Sequence, residues 1–66
     1  MIFMDKLTIK QWRLVKGYDQ KEFAAAVGMN PWTYRSRESG KRKWTAEELR
    51  RIAKFLDVSI DSQINY

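Results

Sequence analysis

The chain has 66 residues, a net charge of +5 and neither cysteine nor histidine, which excludes disulfides and the usual zinc spacings and leaves carboxylates as the only candidate metal ligands. A chain this short buries only about 60% of its unfolded surface, so one domain spanning residues 1–66, of modest stability, is expected. The apolar start, Met1 to Phe3, is too short for a secretion signal, and no run approaches the roughly 18 apolar residues of a membrane span, so a cytoplasmic location is expected.

In chain order, the first helix is predicted to begin at Thr8, with Gln11 three residues on as its capping-box partner and Leu7 packing on Trp12 as a staple, and to stop at Gly17. Ile9 and Trp12 point to the core. Arg13 lies on a neighbouring strip of the same face, where a charge needs a partner. The second helix repeats the device: Asp19 caps, Glu22 reaches back, Tyr18 staples onto Phe23, and Gln20 is the first helical residue. The third, over about residues 31–39, begins with Asn30 as cap and Pro31 at the first position, where a missing amide hydrogen costs nothing. Met29 and Tyr34 form its staple, and Gly40 ends it. The fourth starts at Thr45 with Glu48 completing the box and Trp44 stapled onto Leu49, and its core face is Leu49, Ile52, Ala53 and Leu56. A last short turn from Ser59 brings Val58, Ile60 and Ile64 to close the core. No strand-like alternation competes, so the fold class is all-α, a bundle of four to five short helices.

The stretch from Gln20 to Ser39 organises the rest. Its apolar residues Phe23, Ala24, Val27, Met29 and Tyr34 are spaced to set one side of each helix against the other. Ala24 is small enough to let the second helix cross steeply, and Gly28 can take the left-handed conformation that ends a helix. The product is a helix-turn-helix with its second helix held outward, the arrangement that fits a DNA major groove. Charge follows the same geography: residues 30–44 hold Arg35, Arg37, Lys41, Arg42 and Lys43 against Glu38 alone, a net +4 of the total +5. A concentrated excess beside a protruding helix is the footprint expected for a polyanion.

Catalysis finds no support. General acid-base work needs convergent titratable groups, and Asp19, Glu22, Glu47 and Glu48 are accounted for by helix starts and the helix dipole. No enzyme activity, cofactor, metal or small-molecule ligand is expected. For base reading, the third helix offers Asn30, Pro31, Trp32, Thr33, Arg35 and Ser36. Arg35 can make two hydrogen bonds to guanine, Asn30 can pair with adenine or a phosphate, and Trp32 and the Thr33 methyl can pack on thymine methyls. Phosphates suit Gln20 and Lys21 at the start of the second helix, Ser39 at the end of the third, and Lys41, Arg42 and Lys43 on the following loop.

Plainer readings stand beside these. Trp12 and Trp44 have packing partners in the staple pattern and read as core rather than as stacking platforms. Trp32 sits one position off its staple, either exposed for a ligand or folded back on a neighbouring helix. Arg35 and the Lys41–Lys43 run can be solvated surface, and Gln20 can be a simple helix former.

Several of these residues together resemble the helix-turn-helix domains of phage repressors and Cro-like regulators, the xenobiotic-response-element type. The resemblance runs from about Leu7 to Ile64 and rests on Arg13-x-x-x-Gly17, the Gln20–Gly28 helix with Phe23-Ala24 inside it, Glu38-x-Gly40-Lys41-Arg42, and Leu56-x-Val58-Ser59-Ile60-Asp61. It implies a lambda-repressor-like five-helix bundle that binds near-palindromic operator DNA as a homodimer in a bacterial host, with the third helix in the major groove. It also implies a buried Arg13–Glu38 ion pair, and a Gln20 that binds a phosphate and braces a recognition residue. Arg37 stands where the family usually has an apolar or aromatic side chain, Trp44 where proline is frequent, and Pro31 and Trp32 where polar base readers are common. A Cro-like or small phage or prophage repressor is the expected function, with a dimer surface around Ile60–Tyr66 that forms mainly on DNA. Two rivals are an antitoxin-type module binding an acidic protein partner and a single-strand binder that stacks bases on its tryptophans.

Overall fold

The computed structural model describes residues 6–66; the apolar start at Met1–Phe3 lies outside the described residues. Five helices follow one another, α1 (Ile9–Val15), α2 (Gln20–Ala26), α3 (Pro31–Glu38), α4 (Ala46–Leu56) and α5 (Ile60–Gln63), and two short strands, β1 (Leu7–Thr8) and β2 (Ile64–Asn65), flank them.

Helices of seven or eight residues are too short to persist alone, so their ends and their buried faces must hold them. Three of the starts are closed by reciprocal capping boxes. Thr8 Oγ1 accepts from the Gln11 amide at 3.1 Å while Gln11 Oε1 accepts from the Thr8 amide at 2.9 Å. Asp19 and Glu22 do the same at 2.7 and 3.0 Å, and Thr45 and Glu48 at 3.1 and 2.9 Å. Each box satisfies two amide groups that would otherwise lack partners at a helix start. At α3 the Asn30 side chain accepts from the Trp32 amide at 2.8 Å, with Pro31 in the first position. α5, the exception, has no side-chain cap.

The core is aromatic at its centre. Phe23 and Tyr34, fully buried on α2 and α3, meet edge to face with ring centroids 5.6 Å apart. Tyr18 and Phe55 close on Phe23 from the other side, each 5.8 Å away. Ala24 has no exposed surface. Just beyond, Gly28 takes φ +71° and the Met29 amide donates to the Ala24 carbonyl at 2.8 Å, which ends α2 and turns the chain into α3. Arg51 of α4 clamps this turn by donating to the Gly28 carbonyl at 3.1 Å. The α4 face expected to be buried, Leu49, Ile52, Ala53 and Leu56, is buried.

One expectation fails. The sequence shows no strand alternation, yet β1 and β2 pair in parallel, Leu7 opposite Ile64 and Thr8 opposite Asn65. Two-residue strands are too short to display a period of two. Their pairing comes instead from where the segments just before α1 and just after α5 meet, fixed by the fully buried Ile64 and by Trp12 Nε1 donating to the Gln63 carbonyl at 2.8 Å. The pair is a clasp on a helical bundle and leaves the fold class unchanged.

Candidate nucleic-acid interface

α3 turns Tyr34 inward and leaves the opposite side to solvent. A 3.6-residue period puts Trp32, Ser36 and Ser39 near the middle of that outer side, with Arg35 on one flank and Thr33 on the other. Trp32 is 74% exposed, the most exposed of the large apolar side chains among the described residues. Its ring has the Arg35 guanidinium carbon 5.7 Å from its centroid, within cation–π range. Beside them a notch of about 250 Å³ is lined by Trp32, Thr33, Ser36, Arg37 and Arg42. A larger groove of about 740 Å³, reaching from Thr8 and Lys10 to Trp44 and Tyr66, shares only Arg37 and Arg42 with that notch.

The loop after α3 is tied back to the helix. Ser39 Oγ donates to the Ser36 carbonyl at 3.1 Å, and the Arg42 amide donates to the same carbonyl at 3.3 Å. Lys41, Arg42 and Lys43 are thereby carried alongside α3, all exposed. Among the described residues, neither these three nor Arg35 forms an ion pair, whereas Arg13 and Arg37 both do. The cations near α3 therefore sort into a neutralised pair facing inward and four free charges facing out.

Inward, Glu38 gathers the end of α3. Its carboxylate accepts from Arg13 Nε at 2.9 Å, from Arg13 Nη2 at 3.3 Å, from Gln20 Nε2 at 2.8 Å and from the Tyr34 hydroxyl. Arg13 Nη1 donates onward to the Tyr18 carbonyl at 2.8 Å. The side chains of Arg13 and Glu38 are 7% and 5% exposed, so the charge noticed on the core strip of α1 has its partner. Burial works against the charged form of Glu38 but is outweighed by the hydrogen bonds from Arg13, Tyr34 and Gln20, which hold its pKa below the ordinary glutamate value. Hydrogen bonding to Glu38 raises Arg13, and burial followed by the bond to Glu38 pushes the Tyr34 phenol well above its usual range.

Gln20 has its side-chain amide on Glu38, so it braces the end of α3 rather than an outward residue of that helix. Asn30 spends its side-chain oxygen on the Trp32 amide. Three contributors escaped sequence reasoning. Tyr34 adds a hydroxyl to the Arg13–Glu38 pair, and Arg51 clamps the turn. Arg37 pairs with Glu48 at 2.8 Å, both side chains largely buried. Burial opposes the charge of Glu48, and the hydrogen bonds from Arg37 and the Thr45 amide overcome it, lowering its pKa. The Glu48 oxygen that completes the α4 capping box is the one that receives Arg37, so a side chain at a position usually apolar in the resembled family locks α3 to α4. Trp44 supports the same junction with its ring 5.5 Å from Tyr34.

Among the described residues no cluster of His, Cys, Asp and Glu could hold a metal, and no helix is long and apolar enough to cross a membrane. A two-helix corner turned at Gly28, an outward helix and flanking free cations define a helix-turn-helix DNA-binding domain. A family model described as helix-turn-helix, of the Cro and C1 type, matches residues 9–63, and the chain belongs to that family. It is a DNA-binding helix-turn-helix regulator. No curated protein and no solved structure matches the chain.

Proposed function

We propose that the protein is a Cro-like transcriptional repressor, of phage or prophage type, acting in the bacterial cytoplasm on a near-palindromic duplex operator. α3 enters the major groove, where Trp32, Thr33, Arg35 and Ser36 meet base edges, with Asn30 and Pro31 at the helix start. Lys21, Ser39, Lys41, Arg42 and Lys43 contact phosphates on either side. Gln20, held by Glu38, presents the first amides of α2 to the same backbone. The observation that carries this reading is the exposed Trp32–Arg35 side of α3 with unpaired cations on the adjoining loop.

Two copies bind half-sites about one helical turn apart, roughly 34–36 Å between centres. The contact between copies uses the tail from Ile60 to Tyr66 and is completed on DNA. In its favour, α5 contributes no buried residue and Tyr66 is 64% exposed, while so short a segment offers too little apolar surface for a strong dimer in free solution.

Selection of bound duplexes from a random pool tests the reading. A two-fold consensus of about ten or more base pairs is expected, and Arg35→Ala should relax one base pair in each half-site at a cost of about 1–3 kcal/mol. Recovery of duplexes without any consensus, or tighter binding to single strands, would refute it; binding confined to an acidic protein would favour an antitoxin-type module.

A further inference from the structure

Trp32 and Arg35 stand one helical turn apart on the solvent side of α3, and their side chains lean together, guanidinium carbon to ring centroid 5.7 Å. Arg35 forms no ion pair, so its donors remain available, and Trp32 is 74% exposed. An exposed tryptophan at the first turn of α3 contributes nothing to the core, which is built on Phe23, Tyr34, Ile52 and Ile64. Together the two side chains offer a fork of donors and a flat apolar surface side by side, 5.7 Å from guanidinium carbon to ring centroid, on backbone positions about 4.5 Å apart along the helix axis, the rise of three residues. Successive bases on one strand are about 3.4 Å apart. The pair therefore matches two neighbouring bases, one with paired acceptors and one with an apolar group.

In the major groove the paired acceptors are O6 and N7 of guanine, and the apolar group is a pyrimidine C5 methyl. On B-form DNA the C5 substituent of a pyrimidine projects beside N7 of the purine that follows it on the same strand. We infer that Trp32 and Arg35 act as one reading unit for a step in which a C5-methylated pyrimidine precedes guanine. The inference rests on the operator reading above and adds the identity of one step within each half-site. The ring restricts the guanidinium before DNA arrives, so less side-chain freedom is lost on pairing with guanine. The methyl then covers apolar surface that the free protein leaves in water.

Thymine and 5-methylcytosine present the same methyl, so the test compares four duplexes that differ only at this step of the selected consensus: thymine–guanine, uracil–guanine, 5-methylcytosine–guanine and cytosine–guanine. The methylated member of each pair is expected to bind roughly fourfold tighter than its unmethylated partner, the worth of one buried methyl. Trp32→Ala should bring both ratios to one while keeping the preference for guanine, with an unchanged helical circular-dichroism spectrum showing that the fold survives. A ratio found only for the thymine pair supports the proposal with thymine as its source; a ratio found only for the cytosine pair supports it with the methylated base. Sequence-specific binding that ignores the methyl overturns this inference and leaves the operator reading standing. Absence of any sequence-specific duplex binding overturns both.

Discussion

Glu38 has no unused side for water, since its two oxygens receive Arg13, Gln20 and Tyr34 together. A buried pair of this kind adds little over a well-packed apolar pair, but removing one member strands the other charge at roughly 3–5 kcal/mol. Glu38→Gln should therefore destabilise the domain strongly at pH 7, because it leaves the Arg13 charge uncompensated. The pH dependence follows from the lowered pKa of Glu38 in the fold. Below about pH 4.3, the ordinary glutamate value, the unfolded chain binds the proton more readily than the native one. The stabilisation is thus complete above that pH and is lost as acid approaches the native value. Urea unfolding from pH 7 down to pH 3 should show a steep acid loss in the wild type and a shallower one in Glu38→Gln. Some slope should remain, because the Glu48 pKa is lowered as well. Equal midpoints for the two proteins at pH 7 would mean that the pair contributes nothing in solution.

The turn between α2 and α3 sets the direction of the outward helix, and Gly28 makes it possible. An added Cβ would meet only Arg51 Nη1, at an ordinary 3.6 Å, so space is not the constraint. The constraint is φ +71°, which costs an alanine about 1–2 kcal/mol. Gly28→Ala should lower the melting temperature by about 4–8 °C for each kcal/mol lost in a domain this small, and an unchanged melt would show that the turn relaxes elsewhere. Elements such as this were legible in the sequence because their signals are local. Thr8 with Gln11, Asp19 with Glu22, and Thr45 with Glu48 announce themselves at a spacing of three, and the α4 face repeats at helical period. Long-range partners left no such mark. Arg13 advertised a need for a counter-charge, but only the family resemblance pointed to Glu38, 25 residues away. Arg37 with Glu48, Gln20 with Glu38 and the β1–β2 clasp join segments whose meeting is decided by the folded topology. Trp32 was legible as an anomaly, one position off the staple pattern, and its exposure was decided only by the fold.

Across the whole molecule the folded chain separates its charges by function. Arg13 and Arg37 are consumed inside, Arg50 and Arg51 pair with Glu47 on α4, and Arg35, Lys41, Arg42 and Lys43 stand free on and just after α3. The salt dependence of DNA binding counts such charges, because each neutralised phosphate releases about 0.9 of a counterion. If Lys21, Lys41, Arg42 and Lys43 each engage one phosphate, log affinity against log salt should fall with a slope of about −3.6 for one copy on a half-site. Two copies on a full operator should give about −7. The slope therefore reports both the contacts and the number of copies bound, which a single affinity does not separate. Lys41→Ala should weaken all duplexes alike and flatten the slope by about one unit per copy, without altering which bases are preferred. Arg35→Ala should instead change the preference at one position. A Lys41→Ala protein with an unaltered slope would mean that the loop after α3 stands clear of the backbone, and α3 would then have to approach the groove from another angle than the one its flanking charges indicate.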